Sequence, residues 1–416
     1  MMHVRWFRLR QWLGIQLKRR LFLLNIFSSQ LNYLVALLFP LAVIPHLSSR
    51  LGDSGFGVYA SLVSLSLLVV VLVDFGFGLK GPSVIREVRN THEYLTNALV
   101  IRLLVWLSLL LCCALSVIFF NLPLITMLSL LASLGSAILP PWMFLALGRG
   151  NLLLKVNIIS RTATLFLIIW FVNDKSHIWL ALFLHSLPSL FLIFFLPKLG
   201  EVYKRPVASN LMPAFKEQYM SAVAVAGMST YTAGATYFAS MFLSASETGA
   251  FYVVDRLLRV VIQVFTAANQ FIQARVDFLK TKKNFTVSYL IIVSIYCFFA
   301  YVGFLIFGEG LFRFLGADAF IAGSIVTEYQ LIVPLVLVSN FLGVHFLVSR
   351  KDAPFAGVFV FIGSVILVAV YWIPDVVLGL EDVVRFFIVI EVFVLLATFY
   401  MVATLVKTSN KEGKDK

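Results

Sequence analysis

The sequence predicts an all-α polytopic membrane protein, with about 12 transmembrane helices in two six-helix lobes around a central cavity. Three observations carry this. Of the 416 residues, 61% are hydrophobic and only 13% are charged, whereas a soluble domain is just under half apolar and about a quarter charged. The mean hydropathy of +0.96 excludes an ordinary soluble, disordered or fibrous chain. Apolar segments of about 20 residues, enough to cross a bilayer, recur about twelve times.

The spans are read at 24–45, 57–79, 98–120, 122–147, 152–172 and 177–196, then 217–243, 247–272, 285–307, 324–347, 355–374 and 383–406. The break between the third and fourth rests on Asn121 and Pro123. The longest connections, 196–217, 273–284 and 308–323, are too short for an extramembrane domain. The basic first 23 residues lead straight into a span, and no small-residue cleavage site is evident. They are therefore read as an uncleaved anchor.

The 33 Lys and Arg residues order the spans across the membrane. With twelve spans, one side receives the N-terminal Arg5, Arg8, Arg10, Lys18, Arg19 and Arg20, then Lys80, Arg86, Arg89 and Arg149. It also receives the basic residues of 198–216, 275–283, 350–351 and the tail, while the other side keeps Arg50, Lys175 and Arg313. By the positive-inside rule both termini are cytoplasmic. The net charge of +13 is thus a topology signal, aided by anionic lipid, and implies no nucleic acid.

A faint internal echo supports the lobes. Gly57-Val58-Tyr59, placed in the loop before the second span, matches Ala250-Phe251-Tyr252, placed in the loop before the eighth. Both follow a short polar cluster, and the offset is close to half the chain. Six spans plus six is a common transporter plan, so residues 1–200 are assigned to an N-terminal lobe and 201–416 to a C-terminal lobe.

Catalytic signatures are missing. No Gly-x-x-x-x-Gly-Lys loop exists for a nucleotide, and the six histidines form no zinc motif. Cys112, Cys113 and Cys297 lie in apolar runs without metal or redox spacing. The chain is read as a non-enzyme with no bound cofactor or metal.

The eighth span carries the clearest site signal. At 100° per residue, Thr248, Tyr252, Asp255, Arg256, Arg259, Gln263, Thr266, Gln270 and Gln273 share one face, and the rest of the circle is apolar. An arginine at the bilayer centre costs about 2.5–3.5 kcal/mol even on translocon scales, so the stripe faces other helices or a cavity. Asp255 and Arg259 are i, i+4 in the favourable order, and a structural ion pair explains them equally well. Arg256 has no well-placed acid in its own span and is read as lining the cavity.

The fifth span repeats the theme with Asn157, Ser160, Arg161 and Thr164 on one face. Lys155 snorkels, and Arg102 is read as an interface residue. Asn25, Ser29 and Asn32 share a face of the first span, and Thr230, Gly234 and Tyr237 a face of the seventh. For these, helix packing is the commoner use. Asp74 and Glu391 are the remaining acids of interest, each with an ordinary interface or pairing role as the alternative, and His185 is read as a satisfied core histidine. A cationic interior implies an anionic ligand. Arginine forks suit phosphate oxygens, and Gln, Asn, Tyr and Thr suit a hydroxyl-rich one. Together they point to a phosphate-bearing, lipid-linked sugar.

The stretches Leu51-Gly52-Asp53-Ser54-Gly55-Phe56-Gly57-Val58-Tyr59-Ala60, Leu72-Val73-Asp74-Phe75-Gly76-Phe77, Ile85-Arg86-Glu87 and Gly249-Ala250-Phe251-Tyr252-Val253-Val254-Asp255-Arg256-Leu257-Leu258-Arg259 resemble those of Wzx-type O-antigen and polysaccharide repeat-unit flippases. These belong to the multidrug/oligosaccharidyl-lipid/polysaccharide (MOP) exporter superfamily. The motifs cover about fifty residues, while span count and loop lengths match along the whole chain. Ala250 departs from the family's usual glycine.

The resemblance implies that undecaprenyl-diphosphate-linked oligosaccharide moves from the cytoplasmic to the periplasmic leaflet of the bacterial inner membrane by alternating access. It further implies an H+ or Na+ gradient as driving force and the pathway's polymerase as a partner besides membrane lipid. On that model Arg256, Arg161 and Arg259 meet the diphosphate, and Tyr252, Gln263, Asn32 and Tyr237 meet sugar. Asp255, Asp74 and Glu391 are candidates to carry the coupling ion. A drug or cation exporter of the same superfamily is the alternative, but its pocket would be acidic. A glycan polymerase or ligase would carry a large periplasmic loop, which this chain lacks.

Overall fold

The computed structural model describes residues 2–78, 81, 84–85, 90–121, 123–195, 211–273, 284–316, 325–342 and 379–412. The described residues are helical, with no strand among them. The helices are α1 (Met2–Asp74), α2 (Thr91–Phe120), α3 (Leu131–Ile138), α4 (Pro141–Ala146), α5 (Gly150–Phe171), α6 (Ile178–Phe191), α7 (Leu211–Tyr231), α8 (Ala235–Ala239), α9 (Ala245–Gln273), α10 (Asn284–Phe314), α11 (Ile332–Leu342) and α12 (Leu380–Glu412). Among the described residues, seven stretches are long and apolar enough to cross a membrane. They are Leu31–Asp74, Thr91–Phe120, Leu124–Phe144, Gly150–Phe171, Lys175–Phe194, Ile291–Phe314 and Leu380–Met401. The expected eleventh span, 355–374, lies outside the described residues.

The first two expected spans meet at a single residue. Helix α1 turns at Gly52, whose φ of 68° and ψ of 172° lie where essentially only glycine goes. Gly57-Val58-Tyr59 therefore sits inside the second arm of α1, and Ala250-Phe251-Tyr252 inside α9. Both triplets had been placed in loops by the sequence; the second arm of α1 instead begins directly after Gly52, and α9 begins at a polar cap. At α9, Ser244 and Glu247 bond each other's backbone N–H, at 3.3 and 2.9 Å, a capping box.

The same chemistry starts α2, where Asn90 accepts from the Glu93 N–H and donates to its carboxylate. Asn121 ends α2 in the left-handed conformation. Pro140 precedes α4, and a turn at 330–331 precedes α11 with Pro334 inside it. Pro40, Pro45 and Pro188 lie within helices.

The first arm of α1 packs on α5. The Asn157 amide donates to Asn32 Oδ1, Ser28 donates to Asn151, and His46 Nε2 donates to the Val172 carbonyl at 2.8 Å. The second arm packs on helices from the second half of the chain. A Cβ on Gly57 would lie 1.6 Å from the Ala245 carbonyl oxygen, and one on Gly249 would meet Phe56 at 3.0 Å. Further along, Ser64 donates to the Ala233 carbonyl at 2.8 Å, and Phe75 stacks on Phe215 at 5.0 Å. The main apolar core runs across this seam, from Phe39, Phe56 and Tyr59 to Phe251, Val254 and Phe387.

Candidate functional site

The polar stripe of α9 divides between two neighbourhoods. Asp255, 3% exposed, turns among second-half helices. Its Oδ2 accepts from Arg259 Nε at 2.7 Å and its Oδ1 from the Tyr329 hydroxyl at 3.1 Å. Glu391 of α12, 6% exposed, lies within electrostatic reach of Arg259, as do Tyr231 and Tyr329. Arg259 is thus held by acids of its own half.

Tyr252 and Arg256, one turn apart, face the seam instead. The Arg256 guanidinium lies 4.8 Å from the centroid of the Tyr252 ring, a cation–π contact. Its Nε and Nη2 are buried and have no hydrogen-bond partner among the described residues. In the first half, Arg161 of α5 lies 5.2 Å over the Phe39 ring, and its Nε is likewise buried and unpartnered. Neither arginine has an ion-pair partner among the described residues.

His185 of α6 belongs to the same neighbourhood. Its Nδ1 shares a 3.0 Å hydrogen bond with the Tyr59 hydroxyl. Its ring lies 5.7 Å from Phe39, and both guanidinium groups are within electrostatic reach of it. The aromatic series closes through Phe56, 6.2 Å from Tyr59 and 6.1 Å, edge to face, from Tyr252 of the other half. One imidazole, beside a series of aromatic rings, is therefore within electrostatic reach of two cations from opposite halves.

The other candidates lie elsewhere. Asn32 accepts from Asn157 in the α1–α5 packing, Gln263 is half-buried on α9, and Tyr237 sits near Cys113 of α2. Asp74 ends the second arm of α1. Its carboxylate accepts from Trp142 Nε1 at 3.0 Å and from the Gly78 N–H at 2.5 Å, and it pairs with Arg102 at 3.4 Å. The side chains of Asn25, Ser29, Thr266, Gln270 and Gln273 lie outside the described set.

No family model matches the chain. A curated protein named "Putative O-antigen transporter", from Escherichia coli K12, is 28% identical over 167 residues, 38% of this chain. The match spans about two fifths (39%) of that relative's length. Among solved structures, the inward-facing conformation of a multidrug resistance MATE family transporter of the MOP superfamily gives a TM-score of 0.63 at 13% identity. It covers 89% of this chain and 96% of that one. Its outward-facing counterpart gives 0.55 at 12% identity over 94% and 96%. A MOP superfamily transporter from Pyrococcus furiosus, described as having a binding pocket of reverse polarity, gives 0.53 at 10% over 93% and 95%. The chain has the MOP transporter fold.

These MOP proteins and the curated relative are transporters and not enzymes, in line with the non-enzyme reading. Within the MOP fold, three features escaped the sequence. Arg102, read as an interface residue, is 1% exposed, pairs with Asp74 and donates to the Ser136 carbonyl. Its partner lies on another helix, which a single-helix wheel cannot reveal. Tyr329 was missed for the same reason. His185, read as a satisfied core histidine, has Tyr59 at Nδ1, and the two arginines within electrostatic reach of it lie on other helices.

Proposed function

We propose that the chain is a flippase that moves undecaprenyl-diphosphate-linked oligosaccharide, an O-antigen or similar repeat unit, from the cytoplasmic to the periplasmic leaflet. The observation that carries this reading is the pair Arg161 and Arg256. Arg256 carries two buried, unpartnered N–H groups, at Nε and Nη2, and Arg161, from the other half of the chain, carries one at Nε. Leaving such donors unpaired costs on the order of 1–3 kcal/mol each, more when charged, and a diphosphate restores the bonds.

Residues 1–200 and 201–416 act as two rocking lobes. The head group binds at the seam while the isoprenoid tail stays in the bilayer. Arg259 supports the cationic field, and Tyr252, Gln263, Asn32 and Tyr237 are offered to sugar. A proton or sodium gradient drives the cycle through Asp255, Glu391 or Asp74. The protein resides in the bacterial inner membrane with both termini cytoplasmic and passes its product to the pathway's polymerase. A drug or cation exporter is disfavoured, because two unpaired arginines repel a cationic substrate.

The test uses proteoliposomes with a fluorescent lipid-diphosphate oligosaccharide and an imposed gradient. Wild type is expected to expose internal sugar to an external probe, and Arg256→Ala to fail. No movement by wild type under either gradient overturns the reading.

A further inference from the structure

A histidine buried in an apolar bundle ordinarily has both ring nitrogens satisfied, since an orphaned buried donor or acceptor is costly. His185 does not follow this. Tyr59 engages Nδ1 at 3.0 Å, and the ring makes aromatic contacts with Phe39 and Tyr59. Nε2 has no hydrogen-bond partner among the described residues and is not one of the buried unpartnered atoms, so it is open to a ligand. Arg161 approaches from α5 and Arg256 from α9. Both carry unpartnered guanidinium nitrogens.

We infer that His185 is a third ligand of the anion, donating from Nε2 to a phosphate oxygen that Arg161 and Arg256 also hold. Tyr59 sets this up. When its hydroxyl donates to Nδ1, the proton of the neutral ring must sit on Nε2, the nitrogen that Tyr59 leaves open. A partner at one ring nitrogen fixes the role of the other. Tyr59 is therefore a positioning residue. Its own placement depends on Phe56, which packs against Tyr252 across the seam, so the tautomer lock and the Arg256 shelf share one aromatic wall. The arrangement suits a phosphate bearing several acceptor oxygens better than a single carboxylate, because three donors converge from three helices.

This inference rests on the anion reading of the same seam, and the experiment separates the two. Full-length protein in nanodiscs is titrated with undecaprenyl diphosphate without sugar, and binding is followed by intrinsic fluorescence. Wild type, His185→Ala, His185→Gln, Tyr59→Phe and Arg256→Ala are compared, each first checked for a single monodisperse peak. A hydrogen bond to a charged group is worth about a tenfold change in affinity or more. His185→Ala is expected to bind about tenfold more weakly. His185→Gln, whose amide N–H reaches the same place, recovers most of that loss, and Tyr59→Phe falls between. Equal binding by wild type and His185→Ala, with Arg256→Ala weakened, overturns the role of His185 alone. So does His185→Gln binding as weakly as His185→Ala. If wild type binds no diphosphate, the anion reading itself fails.

Discussion

Arg259 and Asp255 form a 2.7 Å ion pair one helical turn apart, and the free carboxylate oxygen of Asp255 is taken by the Tyr329 hydroxyl. The Asp255 side chain is 4% exposed and that of Arg259 23%. Breaking a buried pair from one side costs about 3–5 kcal/mol, because the other charge stays behind. Partial exposure of Arg259, with Glu391 nearby, favours the lower end. Asp255→Asn should thus lower the melting temperature in detergent markedly, and Asp255→Leu with Arg259→Met should recover much of the loss. A double variant as unstable as the single one would argue against a simple pair.

Arg102 and Asp74 are the corresponding pair of the first half, with Trp142 donating to the same carboxylate. Arg102→Met should cost about 3–5 kcal/mol. Trp142→Phe removes one bond to a charged group, about 1.5–3 kcal/mol. Thermal unfolding of the purified variants reads both, and an Arg102→Met protein as stable as wild type would exclude a structural role.

Arg161 and Arg256 should behave in the opposite way. With no acid to abandon, Arg161→Ala and Arg256→Ala should unfold within a few degrees of wild type. Their affinity for a diphosphate lipid should fall about tenfold or more. Loss of stability without loss of binding would make them packing residues.

Gly57 offers a steric test. Any Cβ there collides with the Ala245 carbonyl at 1.6 Å, so Gly57→Leu must push α1 and α9 apart. A cysteine placed at Ala250, 5% exposed in the parent protein, should then react several-fold faster with a membrane-impermeant thiol reagent. The measurement is made in a background with Cys112, Cys113 and Cys297 replaced by serine. Unchanged reactivity would mean that the contact does not seal this end.

What could be read in the sequence follows from the range of each physical signal. Apolar runs and charge asymmetry are local, so the helices and their punctuation at Asn121 and Pro123 were legible. The i, i+4 spacing of Asp255 and Arg259 is also local, and the ion pair forms as that spacing allows. Arg102 with Asp74 and Tyr59 with His185 join different helices, 28 and 126 positions apart in the numbering, and no periodicity encodes them. The wheel of the eighth span placed Asp255, Tyr252, Arg256 and Arg259 on one face. It had no means to show that the face is shared between two neighbourhoods.

The ion pairs lie in a telling pattern. Asp74–Arg102, Asp255–Arg259, Glu309–Arg313 and the Arg385 pairs with Glu328, Glu381 and Asp382 each join residues of the same half of the chain. Among the described residues none crosses the seam, where aromatic rings, glycines and backbone carbonyls meet instead. In the proposed rocking cycle, sliding one half past the other strands none of these charges, so the two arrangements can lie close in free energy. A ligand shifts such a balance only through its unequal affinity for the two states, and a swing from 1:99 to 99:1 needs a ratio of about 10⁴. An anion gripped from both sides at once can supply that inequality, acting as a removable rivet between parts that otherwise glide.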